Sequence, residues 1–166
     1  MKLKRILGVD PGTRVTGWGV VEMVASRYRL VAFGVITPKV SLTMEQKYLE
    51  IFEGITVVID AHLPEALSIE TQYVDKNVQS AIKLGMARGT AIVAAAKKGL
   101  PVFEYSPTNA KKAVTGRGSA TKEQVAQMLK LLLGIQELTM PEDASDALAL
   151  ALAHMHRKEP LDLLRN

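Results

Sequence analysis

The chain has 166 residues, of which 48% are apolar and 23% charged, and it contains no cysteine. That length corresponds to one compact unit at roughly 100–200 residues per domain, and the composition excludes a disordered polymer, a disulfide scaffold, thiolate metal sites and a cysteine nucleophile. Lys plus Arg number 21 against 17 Asp plus Glu, a net charge of +4 that mildly favours polyanionic partners through steering and counterion release.

Residues 5–10, Arg-Ile-Leu-Gly-Val-Asp, read as a short buried strand that ends on an acid. Pro11-Gly12-Thr13 is a turn. Two β-prone runs follow, Thr16 to Val24 and Tyr28 to Ile36, completing a three-stranded antiparallel meander. Helical spacing of Leu49, Phe52, Ile55, Val58 and Ile59 predicts a helix to His62, with Thr43 and Gln46 as a capping box. Ala66 to Glu70 is a fourth strand, again ending on an acid. The longest helix is expected over 77–98, from Asn77 as N-cap to Gly99 just past the end. Pro101 to Tyr105 is a fifth strand. Short helices are expected over 106–114 and from the Thr121 cap to about 133, separated by the loop Gly116-Arg117-Gly118-Ser119. A final helix starts near Pro141 and runs to about Lys158. Strand and helix alternate after an antiparallel start, which implies an α/β fold: a five-stranded mixed sheet with helices on both faces. Residues 1–158 are read as one domain and 159–166 as a loose tail.

The N-terminal Met1-Lys2-Leu3-Lys4-Arg5 is basic, but Asp10 interrupts the apolar run that a signal peptide would need. No stretch approaches about 18 uncharged apolar residues, so no membrane span is expected. A cytoplasmic protein is the expectation.

Four acids hold unusual positions. Asp10 and Glu70 terminate apolar strands, and in open α/β sheets sites form beyond the carboxyl ends of strands. If those strands are parallel neighbours, the two acids lie side by side. Asp143 and Asp146, three apart at the start of an otherwise apolar helix, project from one face. Singly, each acid is an ordinary turn, cap or helix-dipole residue. Together they form a cluster whose mutual repulsion calls for protons or hard cations. Two Mg²⁺ ions about 3.5–4 Å apart can clamp the attacking and leaving oxygens of a phosphodiester. The pattern therefore points to metal-dependent phosphoryl transfer to water, without naming a substrate.

The segments Asp10 to Gly19, Ile69-Glu70, Lys76-Asn77 with Ala81 to Gly89, Gly118 to Lys122 and Asp143 to Ala149 together resemble the RuvC family of Holliday junction resolvases. The resemblance spans about Lys4 to His156. It implies an RNase H-like fold, a homodimer, and an endodeoxyribonuclease that makes paired symmetric nicks in four-way DNA junctions during recombination and repair. It further implies Mg²⁺ or Mn²⁺ as cofactor, ligatable 5′-phosphate and 3′-hydroxyl ends, and RuvA–RuvB as partners. By motif match the catalytic, metal-holding acids fall on Asp10, Glu70, Asp143 and Asp146. Some members carry histidine where this chain has Asp143, and often phenylalanine where it has Tyr73, an aromatic placed near the crossover bases.

Junction binding needs phosphate contacts indifferent to sequence. The candidates are Lys76, Lys83, Arg88, Lys111, Lys112, Arg117 and Lys122, of which Lys111 and Lys122 also match basic positions near the family's site. The loop 116–119 and the following helix N-terminus suit a phosphate, and Tyr73 can stack on an unpaired base. The alternative for each lysine is a solvated surface charge. Helix 77–98 is rich in Ala and Gly, so it packs closely, either on its own sheet or against a twofold copy. His62, His154 and His156 are read as structural. Competing readings are an actin-like nucleotide-binding ATPase, for which the chain is short, a non-catalytic nucleic-acid module, and an RNase H-like nuclease acting on RNA.

Overall fold

The computed structural model describes residues 4–71, 77–135 and 139–157. Tyr73, Lys76 and the expected tail 159–166 lie outside these. Five strands, β1 (Lys4–Asp10), β2 (Thr16–Val24), β3 (Arg27–Ile36), β4 (Ala66–Glu70) and β5 (Val102–Tyr105), form one sheet in the order β3-β2-β1-β4-β5. The meander β1-β2-β3 is antiparallel, whereas β4 runs parallel to β1 and β5 parallel to β4. The helices are α1 (Met44–His62), α2 (Val78–Lys97), α3 (Pro107–Thr115), α4 (Lys122–Leu133) and α5 (Glu142–Met155).

Local chemistry sets most boundaries. The Gln46 side chain returns to the Thr43 N–H at 3.0 Å to start α1. The Asn77 side chain accepts the Ser80 N–H at 3.1 Å to start α2, and Gly99 follows that helix with φ +70°, a conformation that favours glycine. At α4, Thr121 and Gln124 exchange side-chain and backbone bonds of 2.9 and 3.3 Å, a reciprocal capping box.

The sheet divides the core in two. Leu7, Val9, Val20, Leu67 and Ile69 face α1 and α2, where Ile51, Ile55, Ala87, Ala91 and Ala94 meet them. Ile6, Val21 and Ala66 face α5, which is backed by α3 and α4. Helix α5 is buried from Ala147 to Met155 on every side, which explains why its sequence lacks a polar stripe. It ends at Met155 rather than near Lys158. The Arg157 N–H turns back three residues to the His154 carbonyl at 3.1 Å, while the His154 ring packs on Phe103 and lies 2.8 Å from the Tyr105 hydroxyl. Burial, with Lys4 and Arg157 nearby, holds His154 down to a pKa of about 4. It is a neutral packing residue, as expected of the histidines.

Close approach of α5 to the sheet depends on two glycines. A Cβ on Gly8 would overlap the Ala147 carbonyl oxygen, and a Cβ on Gly17 would overlap that of Asp143. The buried Ser68 hydroxyl donates to the Leu150 carbonyl at 2.7 Å, tying β4 to the same helix. The first turn of α5 is thereby brought down onto the ends of β1 and β2.

Candidate active site

The parallel register pairs Val9 with Ile69, so the next residues, Asp10 and Glu70, emerge side by side at the carboxyl edge of the sheet, on its α5 face. Behind Asp10 the Pro11-Gly12 turn is pinned by Thr16, whose hydroxyl donates to the Gly12 carbonyl at 2.8 Å and accepts the Gly12 N–H at 3.2 Å. Asp143 and Asp146 reach the same edge from the first turns of α5.

All four acids are partly buried, and they share one electrostatic field. Burial, reinforced by the charges of Glu70, Asp146 and Asp143, pushes the Asp10 carboxyl up to about 8. Burial and then Asp146 raise Glu70, opposed by Lys122 and by a hydrogen bond with Asp10. Burial raises Asp146 too, opposed first by Lys122. Among the described residues no three acidic or histidine side chains already enclose a point where an ion could sit. The fit to a divalent cation lies in the donor set: oxygens only, carboxylates only, and held where ionisation is costly until positive charge arrives.

Lys122, at the first position of α4, supplies part of that charge. Its ammonium pairs with Glu142 and lies 3.7 Å from Asp146 Oδ2. Glu142, beside Asp143 in the first turn of α5, had not stood out in the sequence because a first-turn acid is commonplace. A cavity of about 270 Å³ opens here, lined by Glu70, Asp146, Lys111, Lys122 and apolar residues of α3, α4 and α5. Lys111 is close enough to lower Asp146. Lys112 and Arg117 are exposed on α3 and on the loop after it, with no ion pair among the described residues.

Two basic candidates stand apart. Lys83 is exposed on α2, in the layer opposite α5, where its carbonyl accepts from the Tyr48 hydroxyl at 3.3 Å. Arg88, expected among the phosphate contacts, is turned toward the end of β4. Its side chain is 17% exposed and paired with Glu104 at 2.6 Å, and its Nε donates to the Glu70 carbonyl at 2.9 Å. Both contacts hold the guanidinium against β4 and β5.

Comparison with known proteins shows the family. The family model described as crossover junction endodeoxyribonuclease RuvC matches residues 6–154. The protein of that name from Protochlamydia amoebophila is 50% identical over 149 residues, covering 90% of this chain and 89% of the relative. That from Chromohalobacter salexigens is 49% identical over 154 residues, covering 93% and 82%. The solved structure of T. thermophilus RuvC in complex with Holliday junction substrate superposes with a TM-score of 0.86 at 35% identity, over 92% of this chain and 93% of that one. The yeast mitochondrial Holliday junction resolvase shares the fold, with a TM-score of 0.64 at 14% identity over 92% of this chain and 78% of that one. The sheet is thus the RNase H-like sheet that the family resemblance implied, and the chain belongs to the RuvC family of crossover junction endodeoxyribonucleases.

Proposed function

We infer that the chain is a metal-dependent endonuclease that resolves four-way DNA junctions in recombination and repair, cutting two strands of like polarity to leave 5′-phosphate and 3′-hydroxyl ends. The observation that carries this reading is the convergence of Asp10, Glu70, Asp143 and Asp146 on one sheet edge, where burial and the neighbouring carboxylates raise the Asp10 carboxyl. Asp10 and Glu70 sit on strand ends and supply the rigid half of the site. Asp143 and Asp146 ride on the buried helix α5 and supply the other half. These four side chains would hold Mg²⁺, or Mn²⁺, with two ions per site. Bound cations supply the positive charge that activates water and stabilises charge building on the phosphodiester. The direct test is a labelled four-way junction incubated with the protein, with and without Mg²⁺ and without ATP, against a linear duplex. Mg²⁺-dependent paired nicks confined to the junction are expected; equal cutting of the duplex would refute the assignment.

Lys122 and Lys111 flank the cavity and are placed to receive a phosphate, with Lys112, Arg117 and Lys83 further out along the DNA. Arg88, engaged with Glu70 and Glu104, is a less accessible candidate. Lys122→Ala should slow turnover, because its ammonium no longer offsets the burial and repulsion that raise Asp10, Glu70 and Asp146. It should also reduce the slope of log K against log salt by about one, as expected for one lost phosphate contact. Filter binding across a salt series measures this, and an unchanged slope would remove Lys122 from the phosphate contacts.

Two nicks of like polarity need two sites related by a twofold axis. Helix α2 answers the packing question in part. Ala87, Ala91, Ala94 and Ala95 are buried within the subunit, whereas Val78, Ile82, Met86 and Val93 are 52–60% exposed along its other side. That row is the proposed contact between two copies. Met86→Arg should leave the monomer folded and convert dimer to monomer in sedimentation equilibrium; a dimer of unchanged affinity would place the interface elsewhere. RuvA and RuvB are the proposed partners, and the cytoplasm, where chromosomal junctions arise, the proposed location. No helix among the described residues is long and apolar enough to cross a membrane.

A further inference from the structure

Helix α2 lies against the face of the sheet opposite α5, yet one of its side chains reaches through to the strand end that carries Glu70. Arg88 Nε donates to the Glu70 main-chain carbonyl at 2.9 Å. The N–H of the same peptide unit, that of Thr71, donates to the Tyr105 carbonyl of β5 at 2.9 Å. The peptide linking Glu70 to Thr71 is therefore held at both its polar ends, just where β4 stops. Arg88 Nη2 is buried and stands 2.6 Å from Glu104 Oε1, a charge contact whose alignment falls short of a hydrogen bond. Glu104 pairs in register with Ile69, so it lies on the α2 side of the sheet, away from the face from which the Glu70 carboxyl projects.

We propose that Arg88 is a positioning residue for Glu70: by bridging the Glu70 carbonyl and the Glu104 carboxylate it fixes the end of β4, and so sets the affinity of the acidic site for its cation. This rests on the reading of Glu70 as a metal ligand. The guanidinium is suited to the task because its donors lie in one rigid plane and engage two acceptors in a fixed relation. A lysine at 88 would supply the charge to Glu104 but could not hold both acceptors in that relation. Partners behind metal ligands typically govern affinity by about 10–100-fold. Here the link runs through the main chain rather than through the carboxylate, which distinguishes it from a phosphate contact and from a catalytic group.

The test compares Arg88→Lys, Glu104→Gln and Glu70→Gln in three measurements: Mn²⁺ binding without DNA by electron paramagnetic resonance, the Mn²⁺ midpoint for junction cleavage, and junction affinity in EDTA across a salt series. Arg88→Lys should weaken Mn²⁺ binding and raise the cleavage midpoint by about 10-fold. Cleavage should recover to near the parent value at saturating Mn²⁺, with junction affinity and salt slope unchanged. Glu104→Gln, at a half-exposed site that tolerates change, should move both metal readouts the same way by less, and it carries the test alone if Arg88→Lys does not fold. An unmoved Mn²⁺ midpoint in these variants overturns the proposal, as does a salt slope lowered by about one with metal binding intact, which would make Arg88 a phosphate contact instead. If Glu70→Gln itself leaves Mn²⁺ binding intact, it is the assignment of Glu70 that fails; if Glu70→Gln shifts the midpoint and Arg88→Lys does not, only the brace fails.

Discussion

Asp10→Asn is expected to lose junction cleavage by more than about 100-fold, beyond the range produced by changes behind a metal ligand, while junction binding in EDTA stays at the parent level. The same variant should be more stable than the parent in cation-free buffer. The Asp10 carboxyl has a pKa of about 8 against an ordinary value of 3.8, so it binds its proton more tightly in the folded state than in the unfolded chain. Folding is then favoured at low pH, and that advantage is lost as pH rises from about 4 through 8. Asparagine is neutral throughout. The stability gain of the variant should be absent below pH 4, grow across the interval and level off above pH 8, where it should exceed about 1 kcal/mol, since one unit of pKa displacement is worth about 1.4 kcal/mol. Chemical denaturation at pH 4, 6 and 8.5 checks the sign, and parallel curves at all three would mean that folding does not raise the Asp10 carboxyl. Adding Mn²⁺ should reverse the order at pH 8, because only the parent offers the full donor set to an ion that stabilises by binding the folded state.

The sequence carried the strand ends and their acids because each lies at a switch from an apolar run to a turn residue: Val9-Asp10-Pro11 and Ile69-Glu70 are punctuated by local chemistry. Helix starts at Asn77, Ser106 and Thr121 were equally legible, since a capping side chain is a local device. The direction of a long side chain is not local. Arg88 reads as one more cation on a basic helix, and only the packing of α2 against β4 and β5 turns it inward. The same holds for Lys122, whose pairing with Glu142 joins residues 20 apart in sequence. The end of α5 is not legible because the apolar pattern has no stop before Arg157, whereas the helix ends at Met155, where His154 seats against Phe103 and Tyr105 of β5. That Gly8 and Gly17 serve the approach of a helix rather than a turn was likewise invisible, because the partner carbonyls lie more than a hundred residues away.

Gly17→Ala should therefore abolish efficient cleavage from a position that bears no functional group. Gly17 pairs with Asp10 across β1 and β2, its backbone lies outside the positive-φ region, and alanine would be tolerated there by the strand alone. The obstacle is the Asp143 carbonyl oxygen, which the new methyl would overlap. Both clashing groups are tied to main chain, so no side-chain rotation relieves the overlap. Further along α5, Gly8 under Ala147 and the Ser68 bond to Leu150 hold the helix down, so the strain falls on the first turn, which lifts and carries Asp143 and Asp146 away from Asp10. Overpacking of this kind costs about 1–3 kcal/mol, and a misplacement of about 1 Å at a reacting centre costs about 100-fold in rate. Steady-state cleavage with a melting curve checks both, and a variant with parental rate and melting temperature would show that α5 does not rest on Gly17. Set beside Asp10→Asn, the two variants separate charge from geometry. Both silence the site, but one gains stability by removing a carboxyl whose ionisation burial and its neighbours oppose, and the other loses it by wedging apart the elements that bring the acids together. Opposite signs of stability change with the same loss of cleavage are what a site built by forcing acids together requires.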